Sequence, residues 1–249
     1  LKIYLEENNS RDELEIRFGT KFWNPITRIS FDNVLQKLKS NSWVIQKEDC
    51  HLNIQNEYIK EDGQVSMSNI RTTIHGISDI QKYCKTDRLD NIQNIDFMQK
   101  FKKRAQETSN FKGQLEAIDF DDFHFRINYK TERKLKPNDK KVKTLLDSWT
   151  DTKKTFRYIK RVTLTHSEFP FQIDCSIVKT SNKTNKRYLV SEYKIEQSNV
   201  FNNEQTYEIE IELINYQMKR KSRKWFIQGE LSKAVKNGIK LVLSGIQKT

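Results

Sequence analysis

The sequence predicts an α+β protein: a closed antiparallel β-barrel of about eight strands with helices packed on its outside. Three observations carry that expectation. Polar and apolar residues alternate with period two in segment after segment, the pattern of strands with one buried face. These segments follow one another through polar, Lys/Asn-rich connections such as KPNDKK and TSNKTNK, as in a meander whose closure would remove exposed edges. The polar positions carry carboxylates on the first and last strands and Arg or Lys between them. An open sheet with helices on one face is the less specific alternative.

The elements follow in order. DELEIRF (12–18) places Glu13, Glu15 and Arg17 on one side of a strand and Leu14, Ile16 and Phe18 on the other. Ser30 reads as the N-cap of a helix over 31–40, with Phe31, Val34, Leu35 and Leu38 at helical spacing. HLNIQNEYIK and QVSMSNIRTTI form a hairpin that turns at Asp62-Gly63 and offers Arg71 on its second strand. Residues 77–107 are mixed, and NIDFMQKFKKRA reads as a short amphipathic helix. Alternation then returns in FHFRINYKTE, FRYIKRVTLTH, FQIDCSIVKT, RYLVSEYKIE and TYEIEIELI. GELSKAVKNGIKLVLSGI closes the chain with helical periodicity.

Composition bounds the function. The 249 residues, with only three Pro and seven Gly, leave no obvious linker and point to one domain. The net charge of +12 favours a polyanionic partner: nucleic acid, a phosphorylated ligand or an anionic surface. Solubility alone is the plain alternative. No apolar run reaches the length of about 18 residues that a membrane span needs, and there is no signal peptide. Three widely spaced cysteines fit a reducing compartment and argue against a disulfide framework or a Cys-based zinc site. The histidines show no HExxH spacing, no cysteine has the Cys-x₅-Arg pattern of a cysteine phosphatase, and no Walker A motif is present. The chain opens on Leu rather than Met, which suggests a piece of a longer protein.

The phase of the charges is the informative feature. Arg126, Asn128, Lys130 and Glu132 share one face; Arg157, Arg161 and Thr163 share another, while Lys160 falls in with Val162 and Leu164. Asp174 and Ser176 oppose Phe171 and Ile173; Glu192, Lys194 and Glu196 alternate with Tyr193 and Ile195; Glu208, Glu210 and Glu212 alternate with Tyr207, Ile209 and Ile211. For any single strand, a solvated polar face explains this. Taken together, the acidic rows of the first and last strands become neighbours in a closed barrel, where like charges raise one another's pKa. A hard divalent cation, Mg²⁺ or Mn²⁺, relieves that repulsion through carboxylate oxygens. Facing cations then suit a polyphosphate. The expected barrel is therefore hydrophilic inside and apolar outside, beneath its helices.

ELEIR at 13–17 resembles the Glu-x-Glu-x-Lys signature of the triphosphate tunnel metalloenzyme superfamily, with Arg17 in place of lysine, and YEIEIEL resembles the Glu-x-Glu of that family's last tunnel strand. Within the superfamily the pattern is most similar to metal-dependent RNA 5′-triphosphatases of fungal and DNA-virus capping systems. The Lys/Asn/Ile-rich composition resembles the N-terminal domain of a giant-virus (mimivirus-like) capping enzyme. The resemblance implies that Glu13, Glu15 and the 208–212 glutamates, Glu212 above all with Glu208 beside it, bind Mg²⁺ or Mn²⁺. It implies hydrolysis of the γ-phosphate of 5′-triphosphate RNA; by strand phase rather than by motif, Arg71, Lys130, Arg161 and Lys194 are the residues expected to neutralise phosphate charge, and Glu210 or Glu132 to orient water. Arg17, Arg126, Arg157, Lys160 and Asp174 are the further candidates on the substrate side. The implied partners are 5′-triphosphate RNA and guanylyltransferase and methyltransferase domains in the same polypeptide, with no membrane, in host cytoplasm or virion.

Two rivals stand beside this reading: a sister tunnel enzyme acting on tripolyphosphate, thiamine triphosphate or a nucleotide, and a non-catalytic basic RNA-binding module. The acidic rows count against the second. KEDG at 60–63 resembles the nucleophile motif of capping guanylyltransferases, but its place between two alternating segments makes it a turn. The basic runs at 100–104 and 219–224 read as RNA-guiding or solvated surface, and Trp23, Trp43, Trp149 and Trp225 as core or rim.

Overall fold

The computed structural model describes residues 1, 4–5, 11–19, 24–105, 113–214 and 228–246. From the N-terminus the chain runs through β1 (Asp12–Phe18), α1 (Arg28–Ser40), β2 (Val44–Ile59), β3 (Val65–His75), α2 (Ile77–Thr86), β4 (Ile95–Lys102) and the short pair β5 (Arg104–Ala105) and β6 (Gly113–Gln114). It continues through β7 (Ile118–Phe120), β8 (Phe125–Leu135), α3 (Lys140–Asp147), β9 (Lys154–Thr165), β10 (Phe171–Thr180), β11 (Thr206–Leu213) and α4 (Gln228–Ile246).

Eight of these strands are joined in the order β1-β11-β10-β9-β2-β3-β4-β8, and β8 pairs back onto β1. Glu15 lies opposite Glu212 on one side and Asn128 on the other, which closes an antiparallel barrel. The turn between β2 and β3 is Lys60–Gly63: Gly63 donates its N–H to the Lys60 carbonyl at 2.9 Å and has φ of 79°. That left-handed conformation favours glycine, so KEDG is a hairpin turn. Helix α1 starts earlier than its spacing predicts, because Thr27 Oγ1 accepts from the Ser30 N–H at 3.1 Å and caps it.

The barrel is apolar outside and polar inside. Leu14, Ile16, Phe18, Ile173, Ile209 and Ile211 pack outward against Phe31, Val34 and Leu38 of α1 and Leu231, Val235 and Val242 of α4. On the opposite wall Leu52, Ile54, Ile74, Phe97 and Phe156 meet Ile80 and Tyr83 of α2 and Val142 and Leu145 of α3. Each such side chain contributes about 1.5–3 kcal/mol when fully buried, so these two outer cores hold the wall while its inner face stays charged. A Cβ on Gly245 of α4 would lie 2.9 Å from Val34 Cα, so glycine lets α1 and α4 touch backbone to backbone.

Two expected elements are corrected. Residues 95–102 form strand β4, not a helix: Ile95, Met98 and Phe101 recur every three residues, but Asp96, Met98, Lys100 and Lys102 also alternate, and pairing with β3 and β8 decides for the strand. RYLVSEYKIE is not a barrel strand; it forms only the isolated bridges Lys154–Glu192 and Lys183–Leu189. The eighth place in the barrel is filled by β4. Trp43 and Trp149 are buried in the two cores; Trp23, Trp225 and the basic run 219–224 lie outside the described residues. Cys50, Cys84 and Cys175 are free thiols. Among the described residues, no helix is long and apolar enough to cross a membrane.

Candidate active site in the barrel lumen

Alternation turns every second residue of each strand into the lumen, and register determines which charges meet. Arg17 of β1 stands opposite Glu210 of β11, which in turn faces Asp174 of β10; Ser176 of β10 faces Arg161 of β9. Arg17 reaches Glu210 Oε1 through Nε at 2.6 Å and Nη2 at 2.5 Å. Arg161 reaches Glu210 Oε2 at 3.2 Å and Asp174 Oδ2 at 2.9 Å, and its Nε donates to Ser176 Oγ at 3.0 Å. Thr163 Oγ1 donates to the other Asp174 oxygen at 2.6 Å. One strand position further out, Arg157 pairs with Glu208. Burial by itself would raise the Glu210 pKa, but Arg17, Arg161 and Arg157 outweigh it and bring the carboxyl down to about 2. The same carboxylates raise the pKa of Arg17 against the effect of its burial.

The other end of the lumen is acidic, with Glu13, Glu15, Glu132 and Glu212 set against Lys100 and Lys130. Lys100 of β4 reaches Glu13 Oε2 at 3.2 Å and also pairs with Glu132. Lys130 Nζ and Asn128 Nδ2 donate to Glu15 Oε1 at 3.2 and 2.9 Å. Glu212 accepts from the neutral amide of Gln172 at 3.1 Å. Burial, then Glu13 and Asp174, push the Glu212 carboxyl up to about 8. Burial, reinforced by Glu132 and Glu15 and opposed by Lys100, pushes Glu13 up to about 7. A cavity of about 440 Å³ lined by Glu13, Met98, Glu132, Lys134 and Glu212 opens here.

The donor chemistry of Glu13, Glu15 and Glu212 suits a hard divalent ion: all are carboxylates on adjacent strands, and burial, with neighbouring carboxylates adding to it, raises the pKa of Glu13 to about 7 and of Glu212 to about 8. Among the described residues no three Asp, Glu, His or Cys side chains are already gathered around one point as in a loaded metal site. Each of the three glutamates is held instead by a neighbouring Lys, Asn or Gln.

Most of the expected site residues meet in the lumen: Glu13, Glu15, Arg17, Glu132 and Lys130 on β1 and β8, and Glu208, Glu210, Glu212, Asp174, Arg157 and Arg161 on β9–β11. Arg71 joins them from β3, close enough to Glu132 and His51 for their charges to interact. Arg126 lies opposite Arg17 and is held by both oxygens of Asp119 at 2.8 Å. Four of the expected residues are placed differently from the rest. Lys160 faces outward beside Tyr158, Ile177 and Phe201, in phase with the apolar positions of β9. Lys194 is exposed in the irregular segment before Gln197, away from the lumen. Asp174 accepts from Arg161 and Thr163, which tie it into the wall of the lumen. Glu208 is drawn to Arg157 rather than to Glu13 and Glu15. Lys100, Asp49, His51 and His75 also face the lumen and are not among the expected residues; Lys100 lies in the segment that reads as a helix, and no charge row or ligand spacing marks the other three.

No protein-family model matches the chain, and no curated protein matches it. Among solved structures, the capping-enzyme triphosphatase of mimivirus is similar over 97% of this chain and 93% of its own, at 16% identity and a TM-score of 0.57. The Pct1 RNA triphosphatase of S. pombe aligns over 99% of this chain and 89% of its own, at 12% identity and a TM-score of 0.49. The chain thus has the fold of the mimivirus capping-enzyme triphosphatase, an eight-stranded antiparallel barrel, here closed around a charged lumen.

Proposed function

We propose that this protein hydrolyses the γ-phosphate of 5′-triphosphate RNA to leave a 5′-diphosphate end, the first step of mRNA capping, with Mg²⁺ or Mn²⁺ bound by Glu13, Glu15 and Glu212. The observation that carries the reading is the carboxylate set of β1 and β11, with Glu212 paired to a neutral amide, in a closed lumen that also holds Arg161 and Arg71. The bound ion would supply positive charge at the γ-phosphate oxygens. Arg161, fixed by Glu210, Asp174 and Ser176, offers its guanidinium at a set orientation, so little reorganisation is needed as charge builds on the phosphates. Arg71 and Lys130 add charge from β3 and β8. Glu132 is held ionised by Lys100 despite burial, which makes it the better candidate than the doubly clamped Glu210 to hold the attacking water in line.

Tripolyphosphate or a nucleoside triphosphate is the rival substrate for the same charged lumen; the net charge of +12 favours a nucleic-acid end. The test is phosphate release from triphosphate-ended RNA with Mg²⁺ or Mn²⁺. Glu15→Ala and Glu212→Ala are each expected to lower the rate by about 10²–10³ or more, by analogy with removing one fixed charge-stabilising group. Full activity in excess chelator, or in both variants, would overturn the metal-site reading.

A further inference from the structure

On the wall of the lumen away from Glu13 and Glu212, three nitrogens have no hydrogen-bond partner although they are buried: His51 Nδ1 on β2, Arg71 Nε on β3 and Arg157 Nε on β9. β2 lies between the other two strands. A guanidinium Nε can only donate, and a buried donor left unmet is costly, so this wall lacks an acceptor for them. His51 is the most enclosed of the three, 8% exposed. The carboxylate near it, Asp49 Oδ2, is 3.8 Å from Nδ1, beyond hydrogen-bond reach, and is already taken by Lys47 at 2.6 Å. On its flanks the His51 ring meets His75 with centroids 6.0 Å apart, and His75 is itself tied to Asp96 at 3.1 Å.

We propose that His51 is a further substrate-contacting residue of the lumen, donating from Nδ1 to an oxygen of a bound polyphosphate and taking up one proton from solvent as that polyphosphate arrives. This rests on the reading of the lumen as a polyphosphate site. The charged and titratable groups facing His51 are Asp49 on its own strand, Arg157 and Arg161 from β9, and Arg71 and His75 from β3. Burial first and Arg161 next, with Arg71 and His75 adding and Asp49 opposing, hold the free imidazole neutral down to about pH 4. A polyanion seated among these cations reverses their effect and restores the imidazolium, whose two N–H groups both donate. Binding is then coupled to proton uptake in the interval between that low value and the ordinary histidine range of about 6.5, and affinity falls as pH rises through it.

The experiment is calorimetric titration of metal-free protein with inorganic tripolyphosphate at pH 5.5, in two buffers of different ionisation heat, comparing wild type with His51→Gln. The expected result is about one proton more taken up per ligand by wild type, and about tenfold weaker binding by the variant, the loss of one charge-assisted hydrogen bond. Equal proton uptake and equal affinity overturn the proposal. Should the variant fail to fold, the imidazole C–H resonances of wild type decide: one histidine must titrate at higher pH with tripolyphosphate present, and four unchanged titrations overturn it. Proton-coupled binding without hydrolysis of triphosphate RNA would sink the proposed reaction while leaving His51 its role. Absence of any binding removes both.

Discussion

Glu210 and Glu212 stand two residues apart on β11, face the same lumen and are both largely buried, yet they reach opposite charge states. Glu210 is clamped by Arg17 and Arg161 and falls to about 2; Glu212 has a glutamine amide, a nearby Glu13 and Asp174, and rises to about 8. Burial pushes both the same way, so the difference is made by the neighbours that register supplies. One carboxylate belongs to the framework of the tunnel. The other is left short of a cation, as a metal-binding group in its free form would be.

The largest expected break in that contrast is in stability. Glu210→Ala takes the carboxylate partner from half-buried Arg17 and one of two from Arg161, and should destabilise the protein by about 1–3 kcal/mol, read from urea midpoints. Glu212→Gln removes repulsion and should leave the midpoint unchanged or higher. Equal losses in the two variants would dissolve the comparison.

Acid should separate them next. The Glu210 pKa lies below its unfolded value, so its contribution to stability is complete above pH 4.5 and is lost as pH falls toward 2. Urea midpoints measured between pH 5 and pH 3 should fall less steeply in Glu210→Gln than in wild type, and matching slopes would contradict the clamp.

Metal should act on the opposite side of neutrality. Because Glu13 and Glu212 hold protons up to about 7 and 8, a divalent ion must displace those protons at low pH. Mg²⁺ or Mn²⁺ should therefore raise the melting temperature more at pH 8.5 than at pH 6, with the increment lost in Glu212→Gln. A shift independent of pH would show that the ion sits elsewhere.

The smallest effects belong to the lysines outside the lumen. Lys160→Ala and Lys194→Ala should change the proposed triphosphatase activity by less than about twofold, as expected of surface charges away from the lumen. A large loss in Lys160→Ala would mean that the outer face of β9 takes part in substrate binding.

Much of this site was legible before folding because a strand has a period of two residues: once DELEIRF and YEIEIEL are strands, their glutamates must share faces. The same rule had already set Lys160 among Val162 and Leu164, where the structure keeps it. Errors arose where the local pattern fits two periods, as in 95–102, or where alternation finds no ladder to join, as in 187–196.

The sequence by itself determined which side chains share a face, that the inner face is charged and that the outer one is apolar, since these depend only on local backbone geometry. Tertiary structure decided which strands became neighbours, and hence that Arg17 and Arg161 close on Glu210 while Glu212 is left beside Gln172 and Glu13. Pairing between residues nearly two hundred positions apart is a property of barrel closure, and no local preference encodes it.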